Sequence, residues 1–298
     1  MTFPASLLTA LFVFTAAAQP PGEGAQPAAP ATFTLWQLPN QTNTQMMSYV
    51  VHAVHKKVIV IDGGTAGDAP FLLEFLNGLG GSIDAWIITH AHDDHFDALI
   101  EILKKPGTLK MGPLYGSLPD AAWVGQWGAD SEKESYTRFE QTLKDAGRKV
   151  EALSLGQNVE IDGIQLEVLG VRNPEITNNA INNSSLVLRL ADGVKSVLFL
   201  GDLGLEGGEK LLKSPYASRL PSDYVQMAHH GQNGVNEAFY QQARPAYCLW
   251  PTPKWLWDND NGGGTGSGHW HTLEVRAWMD KMPIKKHYVM FEGIHKIE

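Results

Sequence analysis

Within the stretch Ile87 to Phe96, IITHAHDDHF, four side chains fall in the order His-x-His-x-Asp-His: His90, His92, Asp94 and His95. Imidazole and carboxylate are the donors that suit zinc, manganese and iron, and two neighbouring ions need about this many converging ligands. A helix cap or a solvated turn requires no such cluster, so the spacing points to the core of a dinuclear metal site. A further carboxylate, Asp202, follows the apolar run SVLFL and Gly201. At a strand end, its two oxygens could bridge two cations.

The remaining histidines divide by position. His229 and His230 follow the apolar segment DYVQMA, while His269 and His271 stand where a Gly-rich loop meets a helical pattern. Strand ends and helix starts on one rim of a sheet are where α/β proteins assemble sites. At least one residue of each pair is therefore expected to complete the metal shell. His52, His55, His287 and His295 carry no ligand spacing. Asp62, at the end of the run KVIVI, reads as a partner that orients a ligating histidine.

Elements able to position these residues follow from periodicity. Apolar or alternating runs mark strands at Phe33 to Leu38, Met46 to Val54, Lys57 to Ile61 and Asp84 to Thr89. Helical spacing fits APFLLEFLNGLGG, which stops at a Gly pair, and the segment from about Asp94 to Lys104. Leu109 to Pro113 reads as a short strand, PDAAWVGQWGAD as a Trp-bearing loop, and Ser131 to Ala146 as a charged amphipathic helix. Between Lys149 and Leu200 lie four or five strands, several joined by the hairpin pairs Asp162-Gly163 and Asp192-Gly193. Helices near Glu206 to Lys213, Asn236 to Ala243 and Thr272 to Met282 then alternate with the strands DYVQMA, AYCLW and a closing KHYVMF. Two blocks of strands punctuated by helices fit an α/β fold of two mixed sheets packed face to face, with helices outside, in one domain from 32 to 298.

The chain has 298 residues and 43 % hydrophobic content, enough for one large core. Its formal charge of −9 argues against a broad grip on a nucleic-acid backbone, so no extended nucleic-acid surface is expected. A single cysteine, Cys248, excludes an internal disulfide. Leu7 to Ala18, LLTALFVFTAAA, has the length and small-residue ending of a secretory h-region, although no Lys or Arg precedes it. Residues 1–19 are therefore expected to be a signal peptide and 20–31, rich in Pro, Gly and Ala, a flexible linker. A secreted or periplasmic mature chain without a membrane span follows.

Taken together, THAHDDH, the strand ending in Asp62-Gly-Gly and the strand ending in Gly201-Asp202 resemble the metallo-β-lactamase superfamily. The finer pattern of NNSSLVLRL, SVLFLGD, MAHHGQNG and GSGHWHTLEVRAW is most similar to the subgroup holding the ComEC metallo-hydrolase domain and bacterial phosphorylcholine esterase. The resemblance implies a four-layer αββα sandwich, two divalent ions, usually zinc with manganese or iron as alternatives, and hydrolysis by a metal-bound hydroxide. It further implies that His90 and His92 hold one metal, that Asp94 and His95 hold the other, and that Asp202 lies between them. His269 matches a late Gly-His ligand.

One departure stands out. Many members of the family carry a histidine between the first cluster and the Gly-Asp, but none occurs here between His95 and His229. Asn182 and Asn183 occupy that neighbourhood, so an Asn oxygen, the His229–His230 pair or a less complete shell replaces it.

The expected activity is hydrolysis of a small-molecule or oligomeric phosphodiester or phosphoester. Asp94 is a ligand with proton-shuttle work as a secondary role, and His230, with His229 as the alternative, is a candidate for the acid that protonates the leaving group. A β-lactam, lactone or thioester remains open, because the metal core serves them all. So does a non-catalytic, metal-stabilised binding protein that uses the Trp-rich loops.

Overall fold

The computed structural model describes residues 33–298. The expected signal peptide and linker lie outside them. Two seven-stranded mixed sheets form the centre. In spatial order the first contains His295–Ile297, Phe33–Gln37, Ser48–Ala53, Val58–Asp62, Ala85–Ile88, Leu114–Gly116 and Val150–Ala152. The second contains Lys286–Val289, Tyr247–Trp250, Tyr224–Gln226, Ser196–Phe199, Val187–Ala191, Ile164–Gly170 and Asn158–Ile161. Each sheet is antiparallel in one half and parallel in the other.

Period-two patterning explains the layering. Along Val58–Asp62 and Ala85–Ile88, Ile59, Ile61, Ala85 and Ile87 face the second sheet, where they meet Leu188, Leu190, Val197 and Phe199. Val58, Val60, Trp86 and Ile88 point the other way, onto helices Ala69–Gly78, Asp93–Lys104 and Asp130–Asp145 through Leu72, Leu76, Leu99 and Phe139. A third apolar layer, including Leu198, Val225, Phe239, Cys248, Trp250 and Met279, joins the second sheet to its own helices. The result is the αββα sandwich.

Three local differences from the sequence reading have physical causes. The Trp-bearing segment is a helix, Ala121–Trp127, because Asp120 caps it by accepting a hydrogen bond from the Trp123 amide (2.9 Å). A short helix, Ala180–Asn183, precedes the strand Val187–Ala191 and buries both asparagines. The chain does not close on Lys286–Val289: His295–Ile297 crosses to the first sheet and pairs antiparallel with Phe33–Gln37. The Asp162-Gly163 hairpin forms as expected, with both residues at positive φ and Ile161 paired to Ile164. Among the described residues, no helix is long and apolar enough to cross a membrane.

Candidate metal centre

The parallel halves of both sheets end on one rim, and the chemistry sits there. Val58–Asp62 ends in Asp62, and Ala85–Ile88 runs through Thr89 and His90 into the helix Asp93–Lys104. That helix starts with Asp93 and Asp94, acids at the positive end of its dipole, and turns His95 into the interior. From the second sheet, Ser196–Phe199 delivers Asp202, and Tyr224–Gln226 delivers His229 and His230. The sheets meet closely at this point. Leu186 donates its amide to the Thr89 carbonyl (2.8 Å), and Gly201, at φ 54°, leaves only 3.0 Å between a would-be Cβ and Thr89.

Two clusters share Asp202: Asp94, His95, Asp202 and His230 form one, and His90, His92 and Asp202 the other. Six of the eight expected ligands are thus brought together. His230 Nε2 lies 3.0 Å from Asp94 Oδ2 and 3.3 Å from Asp202 Oδ2, and His95 Nε2 lies 3.3 Å from Asp202 Oδ1. In the second cluster His90 Nε2 faces His92 Nδ1 at 3.1 Å and Asp202 Oδ2 at 3.8 Å. Two donors each about 2.0–2.1 Å from a tetrahedral ion stand roughly 3.3 Å apart, so these spacings fit a metal-ligand shell.

The polar atoms agree. Asp94 Oδ2, His95 Nε2, Asp202 Oδ1 and His230 Nε2 are buried without a hydrogen-bond partner; the short approaches among them lack hydrogen-bond alignment. Buried groups in this state cost about 1–3 kcal/mol each. A cation would satisfy all four at once. The residues present therefore fit a pair of divalent ions.

The outer nitrogens are held so that the inner ones face the cluster. Asp62 Oδ2 accepts from His95 Nδ1 (2.7 Å) and from Thr89 Oγ1 (2.7 Å), while its Oδ1 accepts from the Thr89 amide (2.7 Å). This is the orienting role expected of Asp62. His230 Nδ1 donates to the Pro251 carbonyl (2.9 Å), leaving Nε2 for the centre. His92 Nε2 donates to Glu132 Oε1 (2.8 Å), which turns Nδ1 inward. Glu132 was not among the residues read from the sequence. Its only sequence signal is position N3 of a helix, where its other oxygen accepts from the Ala129 amide (2.6 Å).

Charge follows the same design. Burial pushes His95 and His230 down, but the carboxylates of Asp202 and Asp94, with Asp62 for His95, outweigh it; His95 is raised and His230 reaches about 10. Burial first, and then repulsion from His95 and His92, push His90 well down, and burial also lowers His229. Desolvation opposes ionisation of Asp94 and Asp202, yet the facing imidazoles hold both below the usual carboxylate range. Around Asp94 and Asp202 the carboxylates thus favour positive charge on His95 and His230, and a cation bound there would compete with those protons.

The other two expected ligands fall elsewhere. His229 Nε2 lies 3.8 Å from Asp202 Oδ2 and 3.4 Å from Asn182 Nδ2, with its side chain partly open to solvent, outside both clusters. His269 is exposed with its ring 4.5 Å from that of Trp270, and His271 pairs with Glu274 (2.8 Å). The Gly-rich loop bends back on itself, Asp260 accepting from Gly262 and Gly264 and the Gly268 amide reaching Asn259. His269 belongs to neither ligand cluster. Beside the centre opens a recess of about 360 Å³, whose lining includes His92, Asp93, Asp94, Asp97, Ser131 and Glu132.

A family model described as the metallo-β-lactamase superfamily matches residues 42–246. The chain belongs to the metallo-β-lactamase superfamily. It is 31 % identical over 176 residues to ComE operon protein 3 of Bacillus subtilis (strain 168), covering 58 % of this chain and 20 % of that protein. Against ribonuclease J of Helicobacter pylori it is 25 % identical over 189 residues, 60 % of this chain and 23 % of the relative. The chain therefore spans about a fifth of the length of these relatives. Among solved structures, the metallo-β-lactamase fold protein YhfI of Bacillus subtilis superimposes with a TM-score of 0.53 at 14 % identity, covering 89 % of this chain and 100 % of that one. This member of the metallo-β-lactamase superfamily thus shares sequence with ComE operon protein 3, as the resemblance led one to expect, and carries two metal-ligand clusters sharing one carboxylate.

Proposed function

We propose that this hydrolase is an exported phosphodiesterase that works with two divalent ions, zinc first among them. The observation that carries the reading is the shared carboxylate Asp202, common to two ligand clusters, with Asp94 Oδ2, His95 Nε2, Asp202 Oδ1 and His230 Nε2 turned inward and without a hydrogen-bond partner. When bound, such ions lower the pKa of a coordinated water from 15.7 to about 7 and neutralise charge developing on a phosphoryl oxygen. The chain's own residues do the rest. Asp202, common to both clusters, would be shared by the two ions. Asp62 and the Pro251 carbonyl fix the imidazoles of His95 and His230. Full burial with Nε2 turned inward suits His230 to a ligand's work more than to proton donation. His229, partly open to solvent and lowered in pKa by burial, lies 3.8 Å from Asp202 Oδ2 in neither cluster and is the histidine we assign to proton exchange with substrate.

Charge around the centre limits substrate size. Asp93, Asp97 and Glu132 line the recess beside the centre, and the whole chain carries −9. Such a rim repels a polyanionic strand and admits a small diester more readily. The name ribonuclease J belongs to a relative of which this chain covers 23 %, and it supports phosphodiester chemistry without fixing the substrate. Export rests on Leu7 to Ala18.

Purified protein loaded with Zn²⁺ or Mn²⁺ is expected to hydrolyse bis(p-nitrophenyl) phosphate and to lose that activity on chelation. Faster turnover of nitrocefin or of a lactone, or no turnover at all by folded, metal-replete protein, overturns the reading. Export is tested separately by fusing residues 1–31 to a periplasmic reporter; retention of the reporter in the cytoplasm removes that part.

A further inference from the structure

The two clusters are unequal. Asp94, His95, Asp202 and His230 supply four donors, whereas His90, His92 and Asp202 supply three. Tetrahedral metal sites closed by four protein ligands are structural in kind, and three-ligand sites keep a position open. In the four-donor cluster every imidazole has its outer nitrogen fixed by a buried partner, Asp62 or the Pro251 carbonyl. In the three-donor cluster the partner of His92 is Glu132, whose side chain is 29 % exposed.

Near the three-donor cluster stands a second peculiarity. Asn182 is 4 % exposed, and its Oδ1 is buried with no hydrogen-bond partner, the only amide oxygen in that condition among the described residues. Its Nδ2 is occupied, donating to Asn179 Oδ1 (2.9 Å) and lying 3.4 Å from His229 Nε2. His229 in turn lies as far from Asp202 Oδ2 as His90 does, 3.8 Å. The short helix Ala180–Asn183 that holds Asn182 begins from Asn179 at φ 46°, a left-handed turn that only a few residue types tolerate. The Asn182 carboxamide thus stands one residue, His229, away from the shared carboxylate, and its buried, unpartnered oxygen has a ready use at a site short of one donor: amide oxygens coordinate hard divalent ions.

We propose that the two positions fill in order: Asp94–His95–Asp202–His230 binds its ion first and tightly, and His90–His92–Asp202 binds second and weakly, with the Asn182 oxygen as its supplementary donor. The inference concerns metal affinity alone and stands or falls whatever the substrate is.

The test uses tag-free, metal-free full-length protein titrated with Zn²⁺ by calorimetry, with elemental analysis after dialysis. The expected result is two transitions separated by about tenfold or more in Kd, the scale on which supporting residues alone shift metal affinity. One equivalent should survive dialysis. His92→Ala should abolish the weak transition and keep the tight one; His230→Ala should remove the tight one. Asn182→His should tighten the second transition and raise the retained metal toward two equivalents. A single transition with two retained equivalents, or loss of the tight ion in His92→Ala with retention in His230→Ala, overturns the order. An unmoved second transition in folded Asn182→His overturns the part assigned to Asn182. If that variant does not fold, Asn182→Ala decides the same point: weakening of the second transition supports the assignment, and no change defeats it.

Discussion

The two sheets reach the same centre by different means. The first delivers His90, His92, Asp94 and His95 from one strand end and one helix start, and holds the imidazoles with carboxylates: Asp62 on His95 and Glu132 on His92. Its backbone is strained at Asp62 (φ 57°), in a residue type that tolerates the left-handed region. The second sheet delivers Asp202 and His230 through a run of left-handed backbone: Gly201 (φ 54°), then His229 (φ 50°), His230 (φ 54°) and Gly231 (φ 75°) in succession. Non-glycine residues there cost about 1–3 kcal/mol each. They persist because their surroundings over-determine them. The His229 amide donates to the Gly201 carbonyl (3.1 Å), Thr252 Oγ1 to the His230 carbonyl (2.7 Å) and the Ala228 amide to Tyr240 Oη (3.1 Å). One half of the centre is aimed by side-chain partners and the other by backbone shape.

Asp202 belongs to both clusters, so its loss should erase the difference. In Asp202→Ala the imidazoles of His90, His95 and His230 lose their common facing charge. Both equivalents of metal are expected to be lost and hydrolysis to fall by about 10³-fold or more, the size of effect seen when a principal electrostatic group is removed. Elemental analysis beside a turnover assay checks this; retention of two equivalents would contradict a shared carboxylate.

Gly231→Ala attacks the backbone-aimed half alone. Its new Cβ would collide with the Trp250 ring and sit at a φ that alanine resists. The expected cost is about 3 kcal/mol or more of stability, from strain and overpacking together. Thermal unfolding should show it, together with loss of the tight metal equivalent before the weak one. A variant as stable as the parent would mean that the turn is not over-determined.

Asp62→Asn is the matching cut in the partner-aimed half. The amide can still accept from Thr89, but it no longer offers His95 Nδ1 a carboxylate. Metal affinity at the Asp94–His95–Asp202–His230 position is expected to fall about 10–100-fold, with the other position little changed. Equal weakening of both transitions in calorimetry would show that Asp62 acts on the fold as a whole.

How legible the centre was in the sequence follows from the same contrast. His90, His92, Asp94 and His95 could be read because the donors fall within six residues after an apolar strand. Asp202 and His230 could be read because strand-end polar residues of a parallel sheet share a rim. Glu132 could not: 40 positions separate it from His92, and only the packing of helix Asp130–Asp145 against Asp93–Lys104 brings them to 2.8 Å. Position and resemblance both point to His269 as a ligand, yet it belongs to neither cluster, and the loop before it is closed by its own Asp260 and Asn259 hydrogen bonds. The terminal strand His295–Ile297 was missed because three residues, HKI, carry no periodic signal; its pairing with Phe33–Gln37 is purely tertiary.

Glu132→Gln makes the smallest cut and the finest distinction. Glu132 has two jobs: one oxygen accepts from the Ala129 amide to cap its helix, and the other accepts from His92 Nε2. The His92 contact is the main influence holding the Glu132 carboxyl below its ordinary range, so the pair is charge-assisted. Glutamine keeps an acceptor for the cap and gives up the charge. Stability should therefore change by less than about 1 kcal/mol. Affinity at the His90–His92–Asp202 position should fall by up to about tenfold, less than for Asp62→Asn because Glu132 is partly solvated. Glu132→Ala, which also removes the cap, should add a stability loss without a further change in affinity. If Glu132→Gln instead weakened the four-donor position, the two clusters would share their supports, and the division between them would end at Asp202 in name only.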